Sequence, residues 1–191
     1  MLNDENVASR SDAVERRRLG VRALAAGLLA IAADQIVKGV AVLALPYGQP
    51  IPTAIPGLDL RLVLNPGAAF GFGAGVGPLL AAGVLVVLVV LTTWIIRRVI
   101  REENPTVTVL LAVAAGGGWG NMIDRVFRGH QGIFSGAVID YFSVSWFAVF
   151  NLADVFTVCG IVAALAIATF QQSRTRRDAF PAGRRQKGAP Q

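Results

Sequence analysis

GPLLAAGVLVVLVVLTTWII, Gly77–Ile96, is a run of twenty residues without a charge. A helix rises about 1.5 Å per residue, so about twenty residues cross the ~30 Å hydrocarbon core of a bilayer. Three further apolar runs reach a similar length, at about 19–45, 106–123 and 147–170. The composition agrees: 54% of the 191 residues are hydrophobic, 16% are charged, and mean hydropathy is +0.57. Soluble domains carry about 25% charged residues, and a soluble core of this size could not hide so much apolar surface. The sequence implies an all-α membrane protein with four transmembrane helices.

Lys and Arg orient such a bundle, because cytoplasmic segments carry their excess. The N-terminal segment carries Arg10, Arg16, Arg17, Arg18 and Arg22, and Arg97, Arg98 and Arg101 follow the second run. The C-terminal segment adds Arg174, Arg176, Arg177, Arg184, Arg185 and Lys187. The opposite connections hold Arg61, Arg125 and Arg128. Fourteen against three puts both termini in the cytoplasm, with residues 46–76 and 124–146 on the outer face. The net charge of +6 and the pI near 10.7 follow from this topology. Basic blocks beside apolar runs suit anionic membrane lipid, and no nucleic-acid partner is expected.

The chain divides into a polar cytoplasmic tail (1–18), a four-helix transmembrane domain (19–170) and a basic cytoplasmic tail (171–191). The first tail reads as disordered or surface-lying. The first apolar run is too long for a cleaved secretory signal, and it contains Asp34, Gln35 and Lys38. Gly116, Gly117, Gly118 and Gly120 crowd the end of the third run, which fits close helix packing or a locally irregular backbone. On the outer face, LDLRLVLN (Leu58–Asn65) begins with apolar and polar residues in alternation and reads as a short strand. Pro46, Pro50, Pro52 and Pro56 keep the stretch before it extended. A small outer-face sheet is expected.

Carboxylates at membrane depth are costly and mark functional sites. Asn121-x-x-Asp124 and Asn151-x-x-Asp154 repeat one unit at the outer ends of the third and fourth runs, and Asp140 lies between them. Residues three apart share a helix face, so each Asn can hold its Asp or a substrate amide. Asp154 lies about two turns inside its run and should be buried. Asp124, beside Arg125, fits a structural role as well as a catalytic one. Two close carboxylates in a low-dielectric site hold one proton between them, which supplies an acid and a base at the same pH. The lone Cys159 and lone His130 offer no metal cluster, and the hydroxyls of Ser143, Ser145 and Thr157 have no visible base. No metal and no cofactor are expected.

Asp34 and Lys38, four apart, should form an ion pair on one face of the first helix, with a structural role. Asn65 begins an outer-face turn. Arg61 and Arg128 read as solvated or lipid-facing. Tyr141, Phe142, Trp146 and Phe147 suit the interfacial aromatic belt. An ion-coupled transporter would also use intramembrane acids, but nearer the midplane. A non-catalytic scaffold would tolerate Asp→Asn at these positions.

Five phrases together resemble the bacterial lipoprotein signal peptidase family, signal peptidase II. They are Asp34-Gln-Ile-Val-Lys38, Asn65-Pro-Gly-Ala-Ala-Phe-Gly71, Gly117-Gly-Trp-Gly-Asn-Met-Ile-Asp-Arg125, Val138-Ile-Asp-Tyr-Phe142 and Phe150-Asn-Leu-Ala-Asp154. The resemblance implies an aspartyl endopeptidase of the cytoplasmic (inner) membrane, multi-pass and monomeric, with its active site at the outer face. Its partners would be prolipoproteins bearing a diacylglyceryl-cysteine, cut just before that cysteine, and membrane lipids. It implies Asp140 and Asp154 as the catalytic dyad. Asn65, Gly67, Asn121, Asp124, Arg125 and Asn151 would bind substrate or support the dyad, and Asp34 and Lys38 would stabilise the fold. It also implies an outer-face β-cradle, to which residues 58–65 could contribute. Pro66 stands where the family usually has Thr, and Tyr141 where Phe is common. Residues 127–137 form a longer connection than usual, which keeps Asp124 open as an alternative dyad member.

Overall fold

A computed structural model describes residues 2–67, 76–129 and 132–179. The second half of the Asn65–Gly71 phrase, His130 and the end of the basic tail lie outside the described residues. The elements in chain order are α1 (Leu2–Ala44), β1 (Ile51–Pro52), β2 (Leu58–Asn65), α2 (Gly77–Ile100), α3 (Pro105–Phe127), β3 (Val138–Val144) and α4 (Leu152–Ala179). Four helices are long and apolar enough to cross a membrane, as the sequence implied.

Helix boundaries follow from local chemistry. Asn104 caps α3, its side chain accepting the Val107 N–H at 3.0 Å, and Pro105 supplies the preset φ of a first helical residue. Pro78 does the same in the first turn of α2. Of the two readings of the first tail, disordered or surface-lying, the structure sets aside disorder: the chain is helical from Leu2 onward. No Gly or Pro interrupts residues 2–19, and Ala, Glu and Arg are good helix formers.

Helix α3 is central, packed on α1, α2 and α4. Its glycines make the approach possible. A Cβ at Gly116 would fall on the Gly27 carbonyl of α1, and one at Gly117 on the Ala153 carbonyl and Thr157 hydroxyl of α4. Away from these seams, large apolar side chains such as Leu29, Ile36, Val86, Val90 and Leu165 stand exposed on the helix surfaces, as lipid contact requires.

The ends of the bundle differ. At one, Arg16 pairs with Glu102 at 3.1 Å, and Asn104 donates to Gln171 at 3.0 Å. At the other lies a three-stranded antiparallel sheet in the order β1-β2-β3. Ala41 of α1 joins Leu62, Ile139 and Tyr141 in a small core beneath that sheet. The register pairs Val63 with Asp140 and Asn65 with Val138, with an irregularity between Leu60 and Val63. The chain then turns back, and Phe150 bridges to Phe142 with its N–H donating at 2.9 Å. The strand that carries Asp140 is thereby fastened to the residue before Asn151.

Candidate active site

Asn151 and Asp154 begin α4 with a reciprocal cap. The Asn151 N–H donates to Asp154 Oδ2 at 3.0 Å, and the Asp154 N–H donates to Asn151 Oδ1 at 3.1 Å. Both groups satisfy helix-terminal amides that otherwise lack partners. This cap corrects the expected placement of Asp154: it sits in the first turn of α4, half-buried, rather than two turns inside a helix starting at 147. Tyr141 completes the helix start. It is buried, not part of an interfacial belt, and its Oη accepts the Leu152 N–H at 3.0 Å. Burial pushes its phenol up to about 12.

Three asparagines serve the two carboxylates. Asp140 Oδ1 accepts from Asn151 Nδ2 at 2.6 Å, and Oδ2 from Asn65 Nδ2 at 2.9 Å. Asp154 Oδ1 accepts from Asn121 Nδ2 at 2.8 Å. Every oxygen of the pair therefore receives an amide hydrogen, and Asn151 touches both acids. Asp140 is 3% exposed. That burial pushes its carboxyl up to about 6, with the nearby Asp154 charge adding to the rise and the Asn65 and Asn151 hydrogen bonds opposing it.

Beneath this pair lies an ion cluster that spacing alone does not show. Lys38 and Asp34 pair at 2.8 Å, as the i,i+4 spacing implied. The ammonium also meets Asp124 at 2.8 Å and donates to Asn121 Oδ1 at 2.7 Å. Asp34, Lys38 and Asp124 are all fully buried. Gln35 donates to Asp34 at 3.1 Å and to the Gly120 carbonyl at 3.0 Å, and Asp34 Oδ1 accepts the Ala153 N–H at 3.1 Å. Arg128, read from sequence as solvated or lipid-facing, ion-pairs with Asp124 at 2.8 Å, one helical turn away. Arg61 likewise has a partner, donating to the Gly48 carbonyl at 2.9 Å. Asp124 further accepts the Ile139 N–H at 3.3 Å, tying the start of β3 to α3.

A cavity of about 390 Å³ opens over the carboxylate pair. Asn65, Gly67, Asn121, Arg125, Asp140 and Asp154 contribute its polar wall. Phe147, Val149, Phe150, Val155, Val158 and Cys159 make the rest apolar. Arg125 reaches across to the turn after β2, its guanidinium donating to the Gly67 carbonyl and, at 3.4 Å, to the Pro66 carbonyl. Asn65 Oδ1 accepts the Gly67 N–H at 3.0 Å, which closes the turn. Asp34, Lys38 and Asp124 do not line the cavity. Asp124 is enclosed by donors, so its geometry suits a structural hub. Among the described residues, no three His, Cys, Asp or Glu side chains gather as a metal-holding group.

A model of the family described as Signal peptidase (SPase) II matches residues 26–171, a span that includes every residue of the cavity and of the ion cluster. The chain belongs to the signal peptidase II family. It is 36% identical to the lipoprotein signal peptidase of Mycobacterium avium over 162 residues, covering 83% of this chain and 84% of that one. With the lipoprotein signal peptidase of Streptomyces coelicolor it shares 36% identity over 148 residues, 76% of this chain and 68% of that one. The match to the Rhodococcus jostii enzyme of the same name, at 35% identity, covers 69% of this chain and 64% of the relative. A solved bacterial membrane enzyme has the same fold, with a TM-score of 0.64 at 20% identity over 88% of this chain and 94% of that one.

Proposed function

We propose that this protein is an aspartic endopeptidase that removes signal peptides from diacylglyceryl-modified prolipoproteins, cutting just before the lipid-modified cysteine. The observation that carries the reading is the tethering of Asp140 and Asp154 through one asparagine, beside a cavity with a long apolar wall. The family and the names of its relatives support the substrate class.

The two acids differ in their surroundings, and that difference supports different roles. Asp140 is the more buried and keeps the shared proton, its carboxyl raised to about 6. Asp154 lies in the first turn of α4, half-buried at the cavity wall, with Oδ2 accepting the Asn151 N–H, and takes the part of the base. Ionised Asp154 takes a proton from water as the water oxygen bonds to the scissile carbonyl carbon. The Asp140 proton supports the developing oxyanion. When the tetrahedral adduct collapses, the C–N bond breaks, the cysteine amine leaves with a proton from the dyad, and the signal peptide departs as a carboxylic acid.

Val155, Val158 and Cys159 would receive apolar substrate along α4, and Asn65, Gly67 and Arg125 would hold the peptide near the dyad. The positive-inside distribution supports a sheet and dyad at the outer face of the cytoplasmic membrane. One chain supplies the whole site, so a monomer suffices. The test is mass analysis of a diacylglyceryl-modified prolipoprotein after incubation with the purified protein in detergent. The expected product begins at the lipid-modified cysteine. An intact substrate with folded protein, or a cut elsewhere, would refute the reading.

A further inference from the structure

Lys38 spends its three hydrogens on Asp34 Oδ2, Asp124 Oδ2 and Asn121 Oδ1. The first two contacts make an ion cluster. The third fixes which way the Asn121 amide faces. An ammonium has donors and no acceptor, so it admits only the amide oxygen on its side. Asn121 Oδ1 also accepts from Asn151 Nδ2 at 3.0 Å, and that same amide group donates to Asp140. Turned the other way, Asn121 would set its NH2 against two donors and its oxygen against the Asp154 carboxylate. The observed orientation satisfies all three partners, and the ammonium is the charged group that selects it.

We propose that Lys38 is a positioning residue for the dyad: by holding Asn121 Oδ1 it presents the Asn121 amide hydrogen to Asp154 and keeps an acceptor in place for the Asn151 amide that holds Asp140. The inference rests on the peptidase reading and adds to it a residue that the sequence assigned to stability alone. Lys38 is fully buried and lies outside the cavity, so it acts without touching substrate. Its contribution falls on kcat and leaves KM largely alone.

The test compares two variants of equal charge. Lys38→Met/Asp34→Asn removes the donor, whereas Lys38→Gln/Asp34→Asn keeps an amide hydrogen for Asn121. Both leave Asp124 paired with Arg128. A misplacement near 1 Å costs on the order of 100-fold in rate. The Met variant should therefore lose about 100-fold in kcat with KM within about threefold, and the Gln variant should recover at least about tenfold of that loss at the same Tm. In an Asn121→Ala background the Met change should cost nothing further, because the route through Asn121 is already cut. Equal activity of the Met and Gln variants, or losses that add in the Asn121→Ala background, would overturn the positioning role. If the Met variant does not fold, Lys38→Met/Asp34→Leu, with apolar side chains in place of the pair, carries the same comparison. Absence of cleavage by folded wild type would instead remove the peptidase reading, and this proposal with it.

Discussion

Asp140→Asn should abolish activity and, above pH 6, make the protein more stable. The wild-type carboxyl is raised from the ordinary 3.8 to about 6, chiefly by burial, so the folded state favours the protonated acid. A group displaced upward stabilises fully below its unfolded value and loses that stability as pH rises through its folded value. The displacement from 3.8 to about 6 corresponds to about 3 kcal/mol at about 1.4 kcal/mol per pH unit. An amide at position 140 resembles the neutral acid in size and hydrogen bonding and does not titrate. The two proteins should be equally stable below pH 4 and diverge between pH 4 and 6. At pH 8 the variant should lead by up to about 3 kcal/mol, which is about 6–12 °C in Tm for a chain of this size. Thermal unfolding in one detergent from pH 3.5 to 8 reads the difference directly. Parallel curves, or a variant less stable at pH 8, would refute the placement of the dyad proton on a buried Asp140.

Other outcomes follow from the same geometry. Asn65→Ala removes the donor at Asp140 Oδ2, a bond that favours the anion, so the alkaline limb of kcat/KM should move upward in a pH profile. Gly117→Ala drives a methyl group into the Ala153 carbonyl at the start of α4; it should cost about 1–3 kcal/mol in thermal unfolding and lower kcat more than about tenfold. Arg125→Lys replaces a fork that spans the Pro66 and Gly67 carbonyls with a single point donor, and should lower kcat/KM about tenfold while Tm changes little.

Much of this architecture is legible in the residues themselves. Membrane spans are written in long apolar runs, and the Asp34–Lys38 pair in helical spacing, because both depend on local geometry alone. The β2 strand was likewise visible in the alternation that opens Leu58–Asn65. What lay hidden depends on contacts between distant segments. Lys38 meets Asn121 and Asp124 across the α1–α3 seam, which exists because Gly116 and Gly120 let the two helices touch. In the sequence Tyr141 reads as a belt aromatic, because nothing in its neighbourhood announces the Leu152 amide it accepts. In the sequence Asp154 reads as deep because hydropathy continues through Phe147–Phe150, whereas the reciprocal cap with Asn151 starts the helix later. Asp124 competes with Asp140 in the sequence, since the long connection 127–137 leaves the position of Asp140 relative to Asp154 open. The structure separates them by their surroundings, one enclosed by Lys38, Arg128 and the Ile139 amide, the other lining the cavity.

The most direct measurement is cleavage of a purified diacylglyceryl-modified prolipoprotein by wild type, Asp124→Asn, Asp140→Asn and Asp154→Asn, each checked for folding in detergent. Wild type should cut before the lipid-modified cysteine, Asp140→Asn and Asp154→Asn should be folded and inert, and folded Asp124→Asn should retain measurable activity. Activity surviving in folded Asp140→Asn or Asp154→Asn would contradict the dyad.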